Sequence, residues 1–341
     1  MPRRLPAEWE EQDGVLLAWP HENSDWFPCL ALVEPVFTEI VRQISRREKV
    51  LIVAPERGRV LELLQAAEVD PARATVFEIP TNDTWSRDFG PMTVIENGEP
   101  VLLDFGFNGW GLKFPAALDN QVSGSLAETG AFRELRMETP GLILEGGSIE
   151  SDGRGTILTT AACLLSRNRN PHLDRQGVEK ELADRLGADR ILWLEHGFLA
   201  GDDTDSHIDT LARLAPDDSI LFVACDDRAD EHYAALACMR VELERLRTRE
   251  GRPYRLLPLP WPKPCFDDEG QRLPATYANF LVINGAVLVP TYADVGDAAA
   301  LATIGQAFPG REIVGVDCRP LILQHGSLHC VTMQLPKGVL P

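Results

Sequence analysis

The strongest constraint on this chain is a repeated alternation: short runs rich in β-branched residues give way, again and again, to longer amphipathic stretches. The runs Gly14–Ala18, Val50–Ala54, Thr75–Ile79, Val101–Phe105, Thr156–Thr160, Ile220–Ala224, Phe280–Val289 and Glu312–Val316 are bounded by Gly, Pro, Asn or Asp and read as strands. The stretches Ala31–Arg47, Arg57–Ala67, Asp174–Leu186, Asp230–Thr248 and Asp297–Ala307 read as helices. In Asp230–Thr248 the apolar Tyr233, Leu236, Ala237, Val241, Leu243 and Leu246 sit among charged neighbours, so one helical face is core and the other is wet. Helices dispersed among strands favour an α/β fold over separate all-α and all-β domains. No clean sequence repeat emerges. The Pro-rich stretch Leu257–Pro264 reads as an ordered loop anchored by Trp261, Cys265 and Phe266 rather than as a linker, so residues 1–341 are expected to form a single domain.

Charge narrows the partners. Acidic side chains outnumber basic ones by 52 to 33, a formal net charge of −19, which argues against nucleic acid or an anionic membrane and suits a small cation. Solubility alone would also account for that charge. No segment approaches the roughly 20 apolar residues of a membrane span, and the stretch from Met1 to Glu10 carries no apolar run of signal-peptide length. Seven cysteines, odd in number and without a CxxC pair, fit neither a disulfide framework nor a zinc site, so the expected compartment is the reducing cytoplasm.

Four polar motifs carry the chemistry. In Trp85-Ser86-Arg87-Asp88-Phe89-Gly90-Pro91 the Gly-Pro pair fixes a turn after Asp88, and Trp85 offers a flat π face to a cation. Glu145-Gly146-Gly147 follows an apolar run, and its glycines allow a close turn that leaves Glu145 at a strand end facing a cleft; standing alone it would be a plain hairpin. His207 and Asp209 are two apart, which on a strand puts both on one face and on a helix would splay them. The preceding Asp202-Asp203-Thr204-Asp205 lacks the ligand order of a calcium loop. Cys330, unlike the other cysteines, sits among polar residues and a glycine; its neighbour His329 would point the opposite way in an extended chain, which makes His207 the better proton carrier.

These residue types suit one substrate class. A guanidinium is planar and cationic, so carboxylates bind it bidentately and fix its plane. Its carbon is a poor electrophile. A thiolate attacks it when the cation is held and desolvated against aligned acceptors, and a nearby histidine protonates the departing ammonia and then activates water. Were the motif carboxylates to gather around Cys330, they would repel its thiolate and place the pKa of the free thiol at or above the unperturbed ~8.5.

With these motifs the chain closely resembles the agmatine deiminases, in the bacterial peptidylarginine deiminase-like branch of the guanidine-modifying superfamily. The resemblance runs from Pro6-Ala7-Glu8-Trp9-Glu10 and Leu17-Ala18-Trp19-Pro20 through the central motifs to His329-Cys330 and Gln334-Leu335-Pro336. It implies a five-bladed α/β propeller with pseudo-fivefold symmetry, the pentein fold, with the active site in the central channel of one catalytic domain. It implies Cys330 as nucleophile, His207 as general acid and base, and Glu145 as the carboxylate paired with His207. Asp88 and Asp209 would grip the guanidinium, with Trp85 beside the substrate. The implied reaction is hydrolysis of agmatine to N-carbamoylputrescine and ammonia, a step toward putrescine in polyamine biosynthesis, with no metal or organic cofactor required. A homo-oligomer is expected by analogy.

Glu150, Arg154 and Met333 depart from the family pattern and bear on the substrate tail at the channel mouth. The rival readings are deimination of free or peptidyl arginine, amidino transfer, and a propeller that binds partners without catalysis.

Overall fold

The computed structural model describes residues 3–341. Met1 and Pro2, at the head of the stretch read as lacking a secretion signal, lie outside them. The five expected helices are present as Leu30–Ser45, Arg57–Ala66, Arg175–Leu186, Tyr233–Arg245 and Asp297–Ala307. Their local chemistry is visible at Arg175–Leu186. The Asp174 side chain accepts from Gly177 N at its start, and Gly187, with φ of 69°, ends it in the left-handed conformation that spares glycine a Cβ clash.

Apart from the small ribbon Cys265–Phe266 and Arg272–Leu273, the strands belong to five units of one plan: an antiparallel hairpin, a helix, then a strand running parallel to the second hairpin strand. In the second unit Met92–Glu96 and Glu99–Leu103 form the hairpin and Met137–Glu138 the parallel strand. The third uses Ile149–Ser151, Thr156–Thr160 and Arg190–Leu194. The fourth uses Ala212–Ala215, Ser219–Val223 and Arg255–Leu259. The fifth uses Leu281–Ile283, Ala286–Thr291 and Glu312–Asp317. The first unit is assembled from both ends of the chain: Met333–Pro336 pairs antiparallel with Gln12–Ala18, which runs parallel to Lys49–Ala54, and Ala74–Glu78 extends the sheet.

Several expectations change. Leu257–Leu259, read as part of a loop, belongs to the strand Arg255–Leu259. Phe280–Val289 is a hairpin and not one strand, because Asn284-Gly285, with Gly285 at φ of 74°, turns the chain back. The opening strands Met333–Pro336, Met92–Glu96, Ile149–Ser151 and Ala212–Ala215 also went unread. These strands are short, and Ile149–Ser151 and Ala212–Ala215 carry Glu150 and Arg213 into the interior, which breaks the apolar pattern.

One continuous set of buried apolar side chains runs through all five units. Helix Leu30–Ser45 contributes Val33, Val36, Phe37, Ile40, Val41 and Ile44, spaced by threes and fours, and each such side chain stabilises by roughly 1.5–3 kcal/mol on full burial. Phe37 packs edge-on against Trp19 and Trp26 at ring-centre distances of 5.7 and 6.4 Å, and Trp26 lies 5.6 Å from Trp85. Core packing therefore reaches one of the motif residues through three aromatic rings. Among the described residues no helix is long and apolar enough to cross a membrane.

Candidate active site

A short lead-in precedes the first strand of each unit, and the five lead-ins meet at one place. They carry Asp88 before Met92–Glu96, Glu145 to Gly147 before Ile149–Ser151, His207 and Asp209 before Ala212–Ala215, Asn279 before Leu281–Ile283, and Cys330 before Met333–Pro336. Hydrogen bonds join them. Gly147 N donates to Asp88 Oδ1 at 3.0 Å, Asn279 Nδ2 lies 3.2 Å from Cys330 Sγ, and that sulfur is 3.9 Å from Asp209 Oδ2. Asn279 Oδ1 accepts from the backbone of His329 at 2.9 Å and of Cys330 at 3.3 Å, which fixes the turn that presents the thiol. Asp88 sits in the single helical turn Ser86–Phe89, tied down by Ser86 Oγ donating to Leu16 O at 3.1 Å and Val331 O at 2.9 Å.

The local geometry differs from expectation at three points. His207 and Asp209 are not on a strand; Ile208–Thr210 is a single 3-10 turn capped by His207. Glu145, expected to pair with His207, is gripped instead by Arg169, whose Nε lies 2.8 and 2.9 Å from its two oxygens. Arg169 continues to Asp205 Oδ2 at 2.6 Å and Thr204 O at 2.8 Å, so the acidic turn before His207 serves as its anchor. His329 does not point away: its Nδ1 reaches the same Asp209 oxygen at 2.7 Å, and its Nε2 reaches Glu8 Oε2 at 2.6 Å. Because Leu328 to Val331 form a turn, the alternation of an extended chain does not apply.

His207 is 1% exposed, neither ring nitrogen has a hydrogen-bond partner, and Nδ1 lies 3.6 Å from Asp88 Oδ1. Burial pushes its pKa down to about 3, with Asp209 pulling the other way, so the ring is neutral near pH 7. Burial, then the charges of Asp209 and Asp88, holds the Cys330 thiol well above its ordinary value, in keeping with the sequence expectation. Burial and Asp209 also raise Asp88 well above its ordinary value. Asp209 goes the opposite way: burial opposes its charge, but the hydrogen bond and charge of His329 hold it below the ordinary value. One of its oxygens, Oδ1, is buried and unpartnered. Thiol and imidazole thus rest uncharged beside an anionic carboxylate.

Cys330, Asp88 and Trp85 line one pocket together with Trp110 and Phe114. Asp25, Asp83, Asp202 and Asp203 also line it, and no lysine or arginine does among the described residues. Gly326 is forced by close approach, since a Cβ there would fall 2.1 Å from the Trp85 ring. Of the residues departing from the family pattern, Glu150 and Met333 line a separate cavity that also includes Glu8 and His329, and Arg154 binds Asp218 at 2.6 Å on the surface. None of the three borders the pocket of Cys330.

Two clusters offer donor atoms to a cation, each within 4.8 Å of one another: Glu145, Cys163 and His207, and Glu8, Glu150 and His329. Arg169 already grips the carboxylate of the first, and Arg213 sits in the second, 2.9 Å from Glu8 Oε2 and bonded to Glu150.

Residues 4–336 match the model of the Porphyromonas-type peptidyl-arginine deiminase family. The chain belongs to that family. It is 35% identical over 361 residues to the agmatine deiminase of Pseudomonas aeruginosa strain UCBPP-PA14, covering 98% of this chain and 95% of the relative. A C. jejuni agmatine deiminase in which a cysteine is replaced by serine, with substrate bound, superposes with TM-score 0.92 at 41% identity, covering 98% of this chain and 97% of that one. A putative arginine deiminase from Porphyromonas gingivalis superposes with TM-score 0.95 at 48% identity, covering 99% and 100%. The overall fold is accordingly the mixed α/β pentein fold of the peptidyl-arginine and agmatine deiminases. In this deiminase-family chain, sequence reasoning missed Asn279, Arg169, Trp110, Glu8 and Arg213. Asn279 carried one available signal: it stands two residues before a strand, much as Cys330 stands three before its own.

Proposed function

We propose that the chain is an agmatine deiminase, hydrolysing agmatine to N-carbamoylputrescine and ammonia through a covalent amidino-cysteine intermediate on Cys330. The observation that carries this reading is a pocket holding a thiol, carboxylates and aromatic walls without a lining lysine or arginine among the described residues. The α-carboxylate of free arginine would find no counter-ion there, because Lys113, on the strap beside the pocket, is bound to Asp203 O at 2.6 Å and Asp205 Oδ1 at 2.7 Å. Four aspartates at the wall suit the second, aliphatic ammonium of agmatine.

The guanidinium lies between Asp88 and Asp209, with Trp85 against its face. Its charge offsets the carboxylates that disfavour the thiolate, so Cys330 ionises once substrate is bound, its proton passing to neutral His207. Sγ forms a bond to the guanidinium carbon and the C–N bond to ammonia breaks as His207 returns the proton. Neutral His207 then takes a proton from water, whose oxygen attacks the same carbon. The C–S bond breaks, leaving the carbamoyl product and the thiol. Glu145, anchored by Arg169, keeps negative charge beside the imidazole while the ring is protonated.

The finer architecture follows the same reading. The five units close into a five-bladed ring of pseudo-fivefold symmetry around the site, a single catalytic domain, with the pairing of Met333–Pro336 to Gln12–Ala18 joining its ends. A cytoplasmic location agrees with seven free cysteines, and a homo-oligomer rests on analogy. The test measures ammonia release from agmatine, arginine and an arginyl peptide. Agmatine is expected to be strongly preferred, and Cys330→Ala to bind agmatine without turnover; preference for arginine or the peptide, or retained turnover by Cys330→Ala, overturns the assignment.

A further inference from the structure

The pocket wall contains a residue whose contacts the mechanism above does not use. Trp110 lies in Gly109–Leu112, where four consecutive residues have positive φ: Gly109 at 67°, Trp110 at 54°, Gly111 at 87° and Leu112 at 69°. Glycine tolerates this region; tryptophan and leucine are held in it against a steric cost. The Asn108 side chain accepts from Gly111 N at 2.9 Å at one end, and Lys113 is tied to Asp203 and Asp205 at the other. The turn delivers an indole that is 7% exposed and packed edge-on between Phe107 and Phe114 at 5.0 and 5.6 Å. Its Nε1 donates to Asp88 Oδ2 at 2.9 Å.

Asp88 is otherwise badly placed to remain an anion. Asp209 and Glu145 face it with like charge, Cys330 shares its pocket, and the nearby imidazole of His207 is neutral. Two N–H donors offset this, one to each oxygen: Trp110 Nε1 and Gly147 N. Each oxygen keeps a lone pair, so the carboxylate is aimed into the pocket while both oxygens remain free to accept from a planar donor pair.

We propose that Trp110 is a positioning residue for deimination, its indole N–H orienting Asp88 for the guanidinium. The proposal rests on the deiminase reading and adds a requirement to it: the N–H, and not the ring, is what the reaction needs. Trp110→Phe keeps an aromatic between Phe107 and Phe114 and removes the donor. A hydrogen bond to a charged group is worth enough that kcat/KM for agmatine is expected to fall on the order of ten- to a hundred-fold. Loss of a donor to the carboxylate form also makes Asp88 harder to ionise, so the acid limb of the kcat/KM profile moves to higher pH. Phe107→Leu, which loosens the packing without touching the hydrogen bond, is expected to lower the melting temperature and leave that limb in place.

Should Trp110→Phe fail to fold, 3-benzothienylalanine placed at position 110 preserves the bicyclic shape and lacks only the N–H. In the Cys330→Ala background, agmatine affinity by calorimetry gives a reading independent of turnover, and the same weakening is expected there. An acid limb that stays at the wild-type pH overturns the proposal, whether kcat/KM falls or holds, since only packing would then be at stake. Wild-type protein that neither binds nor deiminates agmatine is a different failure, of the substrate assignment itself.

Discussion

Gly147→Ala is the sharpest probe of the site, because a single methyl group would be placed among three functional groups at once. A Cβ at Gly147 would sit 2.6 Å from His207 Nδ1, 2.9 Å from Asp88 Oδ1 and 3.1 Å from Asp209 Oδ2. Ordinary van der Waals contact begins near 3.4 Å, so the imidazole must retreat by about 0.8 Å and the two carboxylates by smaller amounts. Gly147 does not have a positive φ, so alanine meets no backbone objection there and the whole effect is displacement of His207, Asp88 and Asp209. Overpacking of this kind costs about 1–3 kcal/mol of stability, which a chain of this size survives. A misplacement near 1 Å costs on the order of a hundred-fold in rate. The expected outcome is a folded protein, by circular dichroism and thermal melting, whose kcat for agmatine is down about a hundred-fold. Gly58→Ala is the matched control: it lies in helix Arg57–Ala66 with nothing within 4 Å of the new Cβ, and is expected to be neutral or slightly stabilising. If Gly147→Ala keeps kcat within about threefold of wild type, the placement of His207 and the two carboxylates argued above is wrong.

Other outcomes follow from the same structure. Alkylation of Cys330 by iodoacetamide in the absence of ligand is expected to be slow at pH 7 and to accelerate with rising pH, since burial and the two aspartates favour the thiol; rapid labelling independent of pH contradicts this. Glu8 and Asp209 have folded pKa values depressed by His329, against the opposing effect of burial, so the stability they lend is present above the unfolded carboxylate value of about 4 and is lost as pH falls. His329→Gln should therefore flatten the melting-temperature profile on the acid side, and an unchanged profile between about pH 5 and 3 counts against the linkage. Asp119 has the opposite sign: burial raises it to about 7, so it costs stability as pH rises from about 4 through 7, and Asp119→Asn is expected to gain relative to wild type in melting scans at pH 8 over pH 5. Phe37→Ala opens the aromatic chain that leads to Trp85 and is expected to cost about 3–5 kcal/mol in urea unfolding.

The helices were legible because their apolar faces repeat over about three turns or more, long enough for period to outweigh exceptions. The opening strands of the units were not, since a three-residue strand such as Ile149–Ser151 holds no measurable period, and Glu150 within it reads as a surface residue until Arg213 is seen to neutralise it in the interior. The fivefold plan is likewise invisible as sequence identity. It lives in equivalent positions, two to five residues ahead of each opening strand, occupied by side chains as different as Asp88, His207, Asn279 and Cys330. The motifs pointed to residues that the structure brings together, but pairing did not follow from type. Glu145 has Arg169 for a partner because residues 166 to 169 turn back beneath it, a tertiary fact with no local signature. Glu8 and Trp110 come from outside the lead-ins altogether, one from the start of the chain and one from a left-handed turn that propensity argues against.

The Cys330 sulfur sits just ahead of a strand that zips onto one of the first to be made. While the ribosome is still translating, the opening sheet therefore lacks its final ribbon, and the thiol, the last of these groups to emerge, arrives only when its surroundings can already be assembled. Nascent chains thereby gain the thiol only after every residue it will touch has been made.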